Sequence, residues 1–568
     1  MSNDTPNPGG YVRLVPLGGM AEIGKTLLIW ESEDEAIVID CGLAFPEDEM
    51  LGVDIVIPDF TYLLEIRDKV VGIFLTHGHE DHIGGLPFLL KEMTVPVYGP
   101  GLALGLLKRK LDEQGLRLPA GSRTIVPREK IQTQDFEVET FRVSHSIADA
   151  MGFAVTTPAG LMVHSGDFKF DQTPADGEVT DTYTLSSLGE RGVRCLICDS
   201  TNAEMEGYTG SERLVGERLV ELFRDAPGRI MVATFASNIP RLQQVINVAQ
   251  RFGRRVAVMG RSMENSVEVA LELGYLEAPE GVLVDINTAR SVPDEDIAII
   301  STGTQGEPMS ALTRMSRGDD RRIKIKEGDT VVIAANPVPG NEKLVYRTVD
   351  NLCRLGAKVV YGARSGVHVS GHASREEIKL MTNLTQPEFA MPIHGEYRHM
   401  RAFADLARML GYPDDRILMV QNGDMVEFGP RGVNISGPVG NREMLVDGLG
   451  IGDVGRMVLK DREQLSQHGV VTVVVAVEER TGKVLSGPEI TTRGFVYVRE
   501  SEELLEETRK AVCNWLSRSD NLLKDPEQAK RNLRNSLRSF IYEKLQRRPM
   551  IVPIILEVPG TDGGKRSG

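Results

Sequence analysis

The chain is poor in cysteine, with five in 568 residues, at positions 41, 195, 198, 353 and 513. So sparse and odd a set argues against a disulfide framework and fits a reducing compartment, so a cytoplasmic location is expected. Cys195 and Cys198 have the CxxC spacing of zinc and redox sites. They fall in Arg194 to Asp199, which reads as a strand, where residues three apart point to opposite faces, so two buried thiols are expected. Net positive charge is absent as well: the sum is −16 at pH 7. A nucleic acid would therefore have to be gripped by a local basic groove and by metal ions, not by overall attraction. No apolar run, Val470 to Val477 included, approaches the ~20 residues that span a bilayer, so no membrane partner is expected. Met1 to Gly10 lacks a signal-peptide core and reads as a flexible tail. Internal repeats and low-complexity segments are missing. What is present, 41% hydrophobic and 26% charged residues, is ordinary for a globular protein, and the length predicts roughly two to four domains.

The densest chemistry lies in Thr76-His77-Gly78-His79-Glu80-Asp81-His82. It follows the apolar run Val70 to Leu75, which reads as a buried strand, and precedes Gly84 and Gly85, so it forms a tight loop at a strand end. In extended backbone His77 and His79 point the same way and can grip one cation. The turn at Glu80 sends Asp81 and His82 toward a second. Imidazole with carboxylate suits zinc, manganese or iron, not calcium. A histidine-rich loop without a metal is the plainer reading, and the further ligands downstream argue against it.

Those ligands recur at strand ends. Residues 11 to 40 read as three antiparallel strands, the last ending at Asp40, either a turn former or a carboxylate that orients a ligating histidine from behind. The strand from Glu137 ends at Ser144-His145-Ser146. A hairpin over 152–164 runs into Ser165-Gly166-Asp167. The strand at 195–198 delivers Asp199-Ser200-Thr201-Asn202. From 208 to 364 strands alternate with helices, the pattern of a separate α/β domain with a parallel sheet. Its third such strand is followed by a basic stretch, Arg314 to Lys326, read as an electropositive wall or a solvated hairpin. Near 365 the first texture returns, with the loop His368-Val369-Ser370-Gly371-His372 and a strand ending at His394. Residues 11–207 and 365–447 thus form two parts of one domain. A Gly-rich linker is expected at 448–466, a small α/β domain at 467–560, and a disordered tail at 561–568. The last helix carries Lys530, Arg531, Arg534, Arg538 and Lys544, with Arg547 and Arg548 after it, a face for RNA or for solvent.

His77, His79 and His145 would hold one cation. Asp81, His82 and His394 would hold another, with Asp167 bridging. Each cation would keep an open position, the mark of a catalytic site. Two cations about 3.5–4 Å apart can share a hydroxide and clamp both oxygens of a phosphodiester. His164, His399 and His468 read as structural or surface residues.

The set His77, His79, Asp81, His82, His145, Asp167 and His394 resembles that of the metallo-β-lactamase superfamily, which implies a four-layer αββα sandwich. The 226 residues between Asp167 and His394 hold the extra α/β domain, which resembles the β-CASP insert of nucleic-acid-cleaving members. Asp199, His372 in His368-Val369-Ser370-Gly371-His372, and His394 in Pro392-Ile393-His394-Gly395-Glu396 match further motifs of that group. Phrases such as Gly303-Thr304-Gln305-Gly306-Glu307 and Val446-Asp447-Gly448-Leu449-Gly450 are similar to the bacterial ribonuclease J family over nearly the whole chain.

The resemblance implies 5′-to-3′ exonuclease action, preferring 5′-monophosphate ends, and endonuclease action on single-stranded RNA in RNA decay and maturation. Two zinc or manganese ions would serve each chain, which would form a homodimer or tetramer and meet RNA-decay partners. His372 would act as general acid, Asp199 would hold its imidazole, and Asp81 would serve in catalysis as well as ligation. Ser237, His368, Val369, Ser370, Gly371 and His372 would bind RNA phosphates, with a helix cap as the plainer role for Ser237. The alternatives are a β-CASP-type DNA nuclease, a small-ester or thioester hydrolase of the same core, and a non-enzymatic scaffold.

Overall fold

A computed structural model of the chain describes residues 10–47, 49–338, 340–440, 442–448, 450–495, 502–518 and 525–559. The tails expected at 1–10 and 561–568 and the strand expected at 495–498 lie, but for Gly10 and Phe495, outside the described residues. The chain divides into two compact units, Met1–Phe45 with Ile55–Met444, and Pro46–Asp54 with Leu445–Gly568.

Two sheets face each other at the centre of the larger unit. One runs Gly432–Ser436, Met425–Gly429, Val12–Gly18, Leu27–Glu31, Ala36–Ile39, Val70–Phe74, Val97–Gly99 and Arg123–Thr124 across its eight strands. The other runs Phe389–Ile393, Val193–Asp199, Gly160–His164, Met151–Thr157, Glu137–Arg142 and Lys130–Gln132. Leu14, Trp30 and Phe74 of the first sheet meet Phe153, Ile197 and Met391 of the second in one buried cluster. Strands buried on both faces, such as Leu27–Glu31 and Ala36–Ile39, are nearly continuous apolar runs, as central strands must be. Helices such as Gly101–Glu113, Thr182–Arg191 and Arg375–Thr385 complete the αββα sandwich.

Register decides which ends meet. Ile39 pairs with Phe74 in a parallel ladder, so Asp40 and the loop after Leu75 leave the same edge. Asp199 pairs with Ile393, and His164 with Ile197, so Asp167, Asp199 and His394 leave together as well. Ligand sites gather at such carboxyl edges of strands.

The insert carries a fully parallel six-stranded sheet, ordered Leu283–Val284, Arg255–Met259, Ile297–Ser301, Ile230–Ala233, Thr330–Ile333 and Lys358–Val360. Its helices include Glu212–Asp225, Ile239–Arg251 and Arg261–Glu272. Two local readings need correction. The basic stretch is not a hairpin: Ala311–Arg317 is a helix, and an extended loop follows. The cap of Ile239–Arg251 is Asn238, whose side chain accepts the Arg241 N–H, and not Ser237.

The smaller unit contains a helix, Arg456–His468, where most of a linker was expected. Its Gly-rich approach suggested flexibility, but Leu459, Lys460, Arg462, Glu463, Gln464 and Leu465 are good helix formers. Val470–Glu478 is its central strand, antiparallel to Val484–Arg493 and parallel to Met550–Val558. Val471, Val473, Val475 and Val477 point inward with strand period, toward Leu533, Leu537 and Ile541 of helix Pro526–Leu545. The basic residues of that helix are mostly exposed.

Candidate metal centre

The structure brings the strand-end residues into two adjoining clusters. In each, one donor atom from every side chain lies within 4.8 Å of the others: His77, His79 and His145 in the first, Asp81, His82, Asp167 and His394 in the second. A third set, Asp167, Asp199, His372 and His394, overlaps the second. His77, His82, Asp167 and His394 are buried.

Hydrogen bonds behind the rings decide which nitrogens face inward. His82 Nδ1 lies 2.8 Å from Asp40 Oδ2. A carboxylate only accepts, so Nδ1 carries the proton and Nε2 turns its lone pair to the cluster. Asp40 also accepts the Thr76 N–H at 2.8 Å and the Thr76 hydroxyl at 2.7 Å. That hydroxyl has spent its one proton, so it accepts from His77 Nδ1 at 3.0 Å and leaves the lone pair on His77 Nε2. His145 Nδ1 donates to the Gly371 carbonyl at 2.8 Å, with the same outcome. Thr201 Oγ1 donates to Asp199 Oδ1 or the His394 carbonyl, both 2.7 Å away, and receives His394 Nδ1 at 2.9 Å. Once the inner protons are displaced, lone pairs would thus converge on lone pairs. His82 Nε2 and Asp167 Oδ2 are 3.2 Å apart, both buried, and neither makes a hydrogen bond. Such an arrangement of imidazole and carboxylate donors fits divalent cations.

Electrostatics divides the clusters. Burial, reinforced by neighbouring imidazoles, holds His77 and His145 well below the usual histidine range and His79 at about 4, so all three are neutral and fit to ligate. Burial also opposes charge on His82 and His394, but the carboxylates of Asp167 and Asp81 win, lifting His394 to about 10 and His82 well up. A cation entering the second cluster competes with these protons.

The backbone is strained where it delivers these groups. Asp40 and His394 have φ of +60° and +52°, left-handed values uncommon outside glycine. Gly42 lies so close to the loop that a Cβ there would sit 1.6 Å from the Asp81 carbonyl oxygen.

The loop 368–372 is tied to the same centre. His372 Nδ1 lies 2.8 Å from Asp199 Oδ2. Burial works against charge on His372, but Asp199 raises it above its ordinary value. Asn202 Nδ2 donates to Ser370 Oγ and to the His372 carbonyl, which also accepts from Thr209 Oγ1. A Cβ on Gly371 would come within 2.8 Å of the His145 ring and Ser146 Oγ. Ser237 makes no described hydrogen bond to the loop. It adjoins the helix whose Arg241 reaches His368 and Val369. Sequence reasoning missed Thr76, Thr201, Asn202, Thr209 and Arg241. The polar run 199–202 directly after a strand was the available signal for two of them.

His164 and His399 are buried and serve the backbone: His164 Nδ1 accepts the Gly166 N–H, and His399 Nδ1 that of Glu396. Cys195 and Cys198 are buried free thiols. No helix among the described residues is long and apolar enough to cross a membrane.

Comparison with known proteins agrees with this architecture. Family models match as the metallo-beta-lactamase superfamily over 21–189, the ribonuclease J beta-CASP domain over 227–352, the Zn-dependent metallo-hydrolase RNA specificity domain over 356–417, and the ribonuclease J C-terminal domain over 457–558. Ribonuclease J2 of Bacillus subtilis is 44% identical over 96% of this chain and 99% of its own. Ribonuclease J of Synechocystis is 43% identical over 95% and 86%, and that of Thermus thermophilus 42% over 97% and 96%. A crystal structure of a protein of unknown function from Enterococcus faecalis, 16% identical with a TM-score of 0.53, covers 73% of this chain and all of its own and shares the fold. A sandwich whose carboxyl edge gathers these imidazole and carboxylate donors, a parallel-sheet insert between them and a matching C-terminal domain place the chain in the ribonuclease J family of metal-dependent hydrolases.

Proposed function

We propose that the chain cleaves single-stranded RNA, removing nucleotides 5′ to 3′ from 5′-monophosphorylated ends and also cutting internally, in RNA decay and maturation. Two divalent cations, zinc or manganese, would be held by His77, His79 and His145 and by Asp81, His82 and His394, with Asp167 between them. Bound there, they supply Lewis-acid stabilisation of phosphoryl charge and lower the pKa of water. The reading rests on one observation: a His372–Asp199 pair stands at the edge of both ligand clusters, on a loop fastened to ligand His145.

The chain's own residues divide the remaining work. Asp199 receives His372 Nδ1–H, which orients the ring and leaves Nε2, without a protein partner among the described residues, to carry a proton to the departing 3′-oxygen. His368, Val369, Ser370 and Gly371, with Ser237 across the domain boundary, would bind the phosphates on the 5′ side. A homodimer or tetramer, working in the cytoplasm with partners of RNA decay, accords with the family.

The test incubates the protein and Mn²⁺ with 5′-monophosphorylated RNA, 5′-triphosphorylated RNA and DNA oligonucleotides. Mononucleotide release mainly from the first is expected. Equal degradation of DNA would favour the DNA-nuclease alternative, and turnover only of small thioesters would end the proposal.

A further inference from the structure

Arg241 is fully buried, a costly place for a guanidinium, and the metal centre does not use it. It lies in the first turn of helix Ile239–Arg251. Its Nη2 meets Glu212 Oε1 at 2.6 Å and its Nε reaches Glu212 Oε2 at 3.4 Å. Nη1 donates to the Ala334 carbonyl at 2.6 Å, and Nη2 reaches the Val369 carbonyl at 3.5 Å. The remaining contact is Nη1 to His368 Nδ1, at 3.2 Å.

A guanidinium has five N–H donors, no acceptor, and does not lose its proton. In this contact, therefore, Arg241 donates and His368 Nδ1 accepts. That leaves one tautomer, a neutral ring with its proton on Nε2. The charged groups facing the ring agree. Burial, then Arg241, then Lys169 push the His368 imidazole down to about 3, against the weaker opposing pull of the Ala334 carbonyl beside it. Lys169 is itself held by Asp171 at 3.4 Å and by the Gly210 carbonyl, and Asp171 accepts the Glu212 N–H, so both buried cations keep their positions. The ring is half-buried, and its Nε2 makes no side-chain hydrogen bond among the described residues.

We propose that Arg241 is a positioning residue, which holds His368 as a neutral Nε2–H donor to the 5′-terminal phosphate and thereby sets the preference for 5′-monophosphorylated RNA. Selection then rests on a directed hydrogen bond and not on imidazolium charge. The inference rests on the function proposed above.

The experiment measures kcat and KM for one RNA carrying either a 5′-phosphate or a 5′-hydroxyl. The wild type is compared with Arg241→Lys and with the double variant Glu212→Gln/Arg241→Gln, which removes both buried charges together and so guards against misfolding. The kcat/KM ratio of phosphate over hydroxyl ends should fall by roughly 10–100-fold, chiefly through KM, the scale of a lost hydrogen bond to a charged group. The same substitutions are then made in His368→Gln, whose amide donates near the place of Nε2 without tautomer control. There the ratio should change less than about threefold, because the two sites are coupled. In ¹⁵N-histidine spectra the wild-type ring should stay the neutral Nε2–H form from pH 5 to 8, and the variants should show a tautomer mixture. An equal fall in both backgrounds, or an unchanged ratio, would overturn the inference while leaving ribonuclease action intact. A wild type indifferent to the 5′-phosphate would instead remove the underlying reading of the 5′ end.

Discussion

Asp40→Asn tests the reasoning about the metal centre most directly, because it changes a proton pattern and almost no volume. Asp40 accepts three hydrogen bonds, from Thr76 N, Thr76 Oγ1 and His82 Nδ1, at 2.7–2.8 Å. Asparagine tolerates the left-handed φ of +60°. Keeping the bond from Thr76 N turns its amide NH₂ toward His82. His82 Nδ1 must then accept, and its proton moves to Nε2, which faces Asp167 Oδ2 at 3.2 Å. The lone pair that would meet a cation becomes an N–H. The opposite amide orientation sets the NH₂ against the Thr76 N–H and loses a buried bond. Losing an outer partner of this kind costs about 10–100-fold in metal affinity, or about 1.4–2.7 kcal/mol at 1.36 kcal/mol per decade. The assay titrates Zn²⁺ or Mn²⁺ against a competing chelator, with circular dichroism and melting of the metal-free protein alongside. Wild-type affinity in the variant, or a loss that only tracks unfolding, would refute the tautomer argument.

His372→Gln should slow the single-turnover chemical step by about 10²–10⁴ with little change in RNA binding, and an unchanged rate would strip His372 of its acid role. Gly371→Ala drives a Cβ to within 2.8 Å of His145 and Ser146. It should cost about 1–3 kcal/mol of stability and up to ~10²-fold in kcat/KM through displacement of the loop, so wild-type kinetics would show that the loop does not need its contact with His145. Asp149, which accepts the Leu102 N–H at 2.9 Å, is raised by burial from 3.8 to about 6. A raised folded value favours the protonated form. Its stabilising contribution is therefore full below the unfolded value near 4 and is lost as pH rises through 6. Relative to the wild type, Asp149→Asn should gain up to about 3 kcal/mol between pH 4 and 7, read from denaturant melts; a pH-independent difference would contradict this.

Legibility followed the range of the interactions. The loop 76–82 could be read because its donors are contiguous and the residues before it have strand character. His145, Asp167, Asp199 and His394 could be read as strand-terminal polar residues, since a chain that leaves a sheet at one edge repeatedly delivers side chains to one place. Asp40 stayed undecided between turn and partner, and the contact with His82, 42 positions on, resolves it. The helix at 456–468 was misread because glycines before it outweighed the helix formers within it. Arg241 was passed over because nothing local distinguishes a buried arginine from the many solvated ones.

The sequence by itself determined donor chemistry, strand ends and the alternation that marks the insert, because these depend on residue type and on periods of a few residues. The tertiary structure alone decided which nitrogen of each histidine faces the centre, why Gly42 and Gly371 leave no room for a side chain, and how Arg241 reaches His368 across 127 positions. Those properties depend on hydrogen bonds and close approaches between segments that become neighbours only when the sheets pack, and no local pattern encodes them.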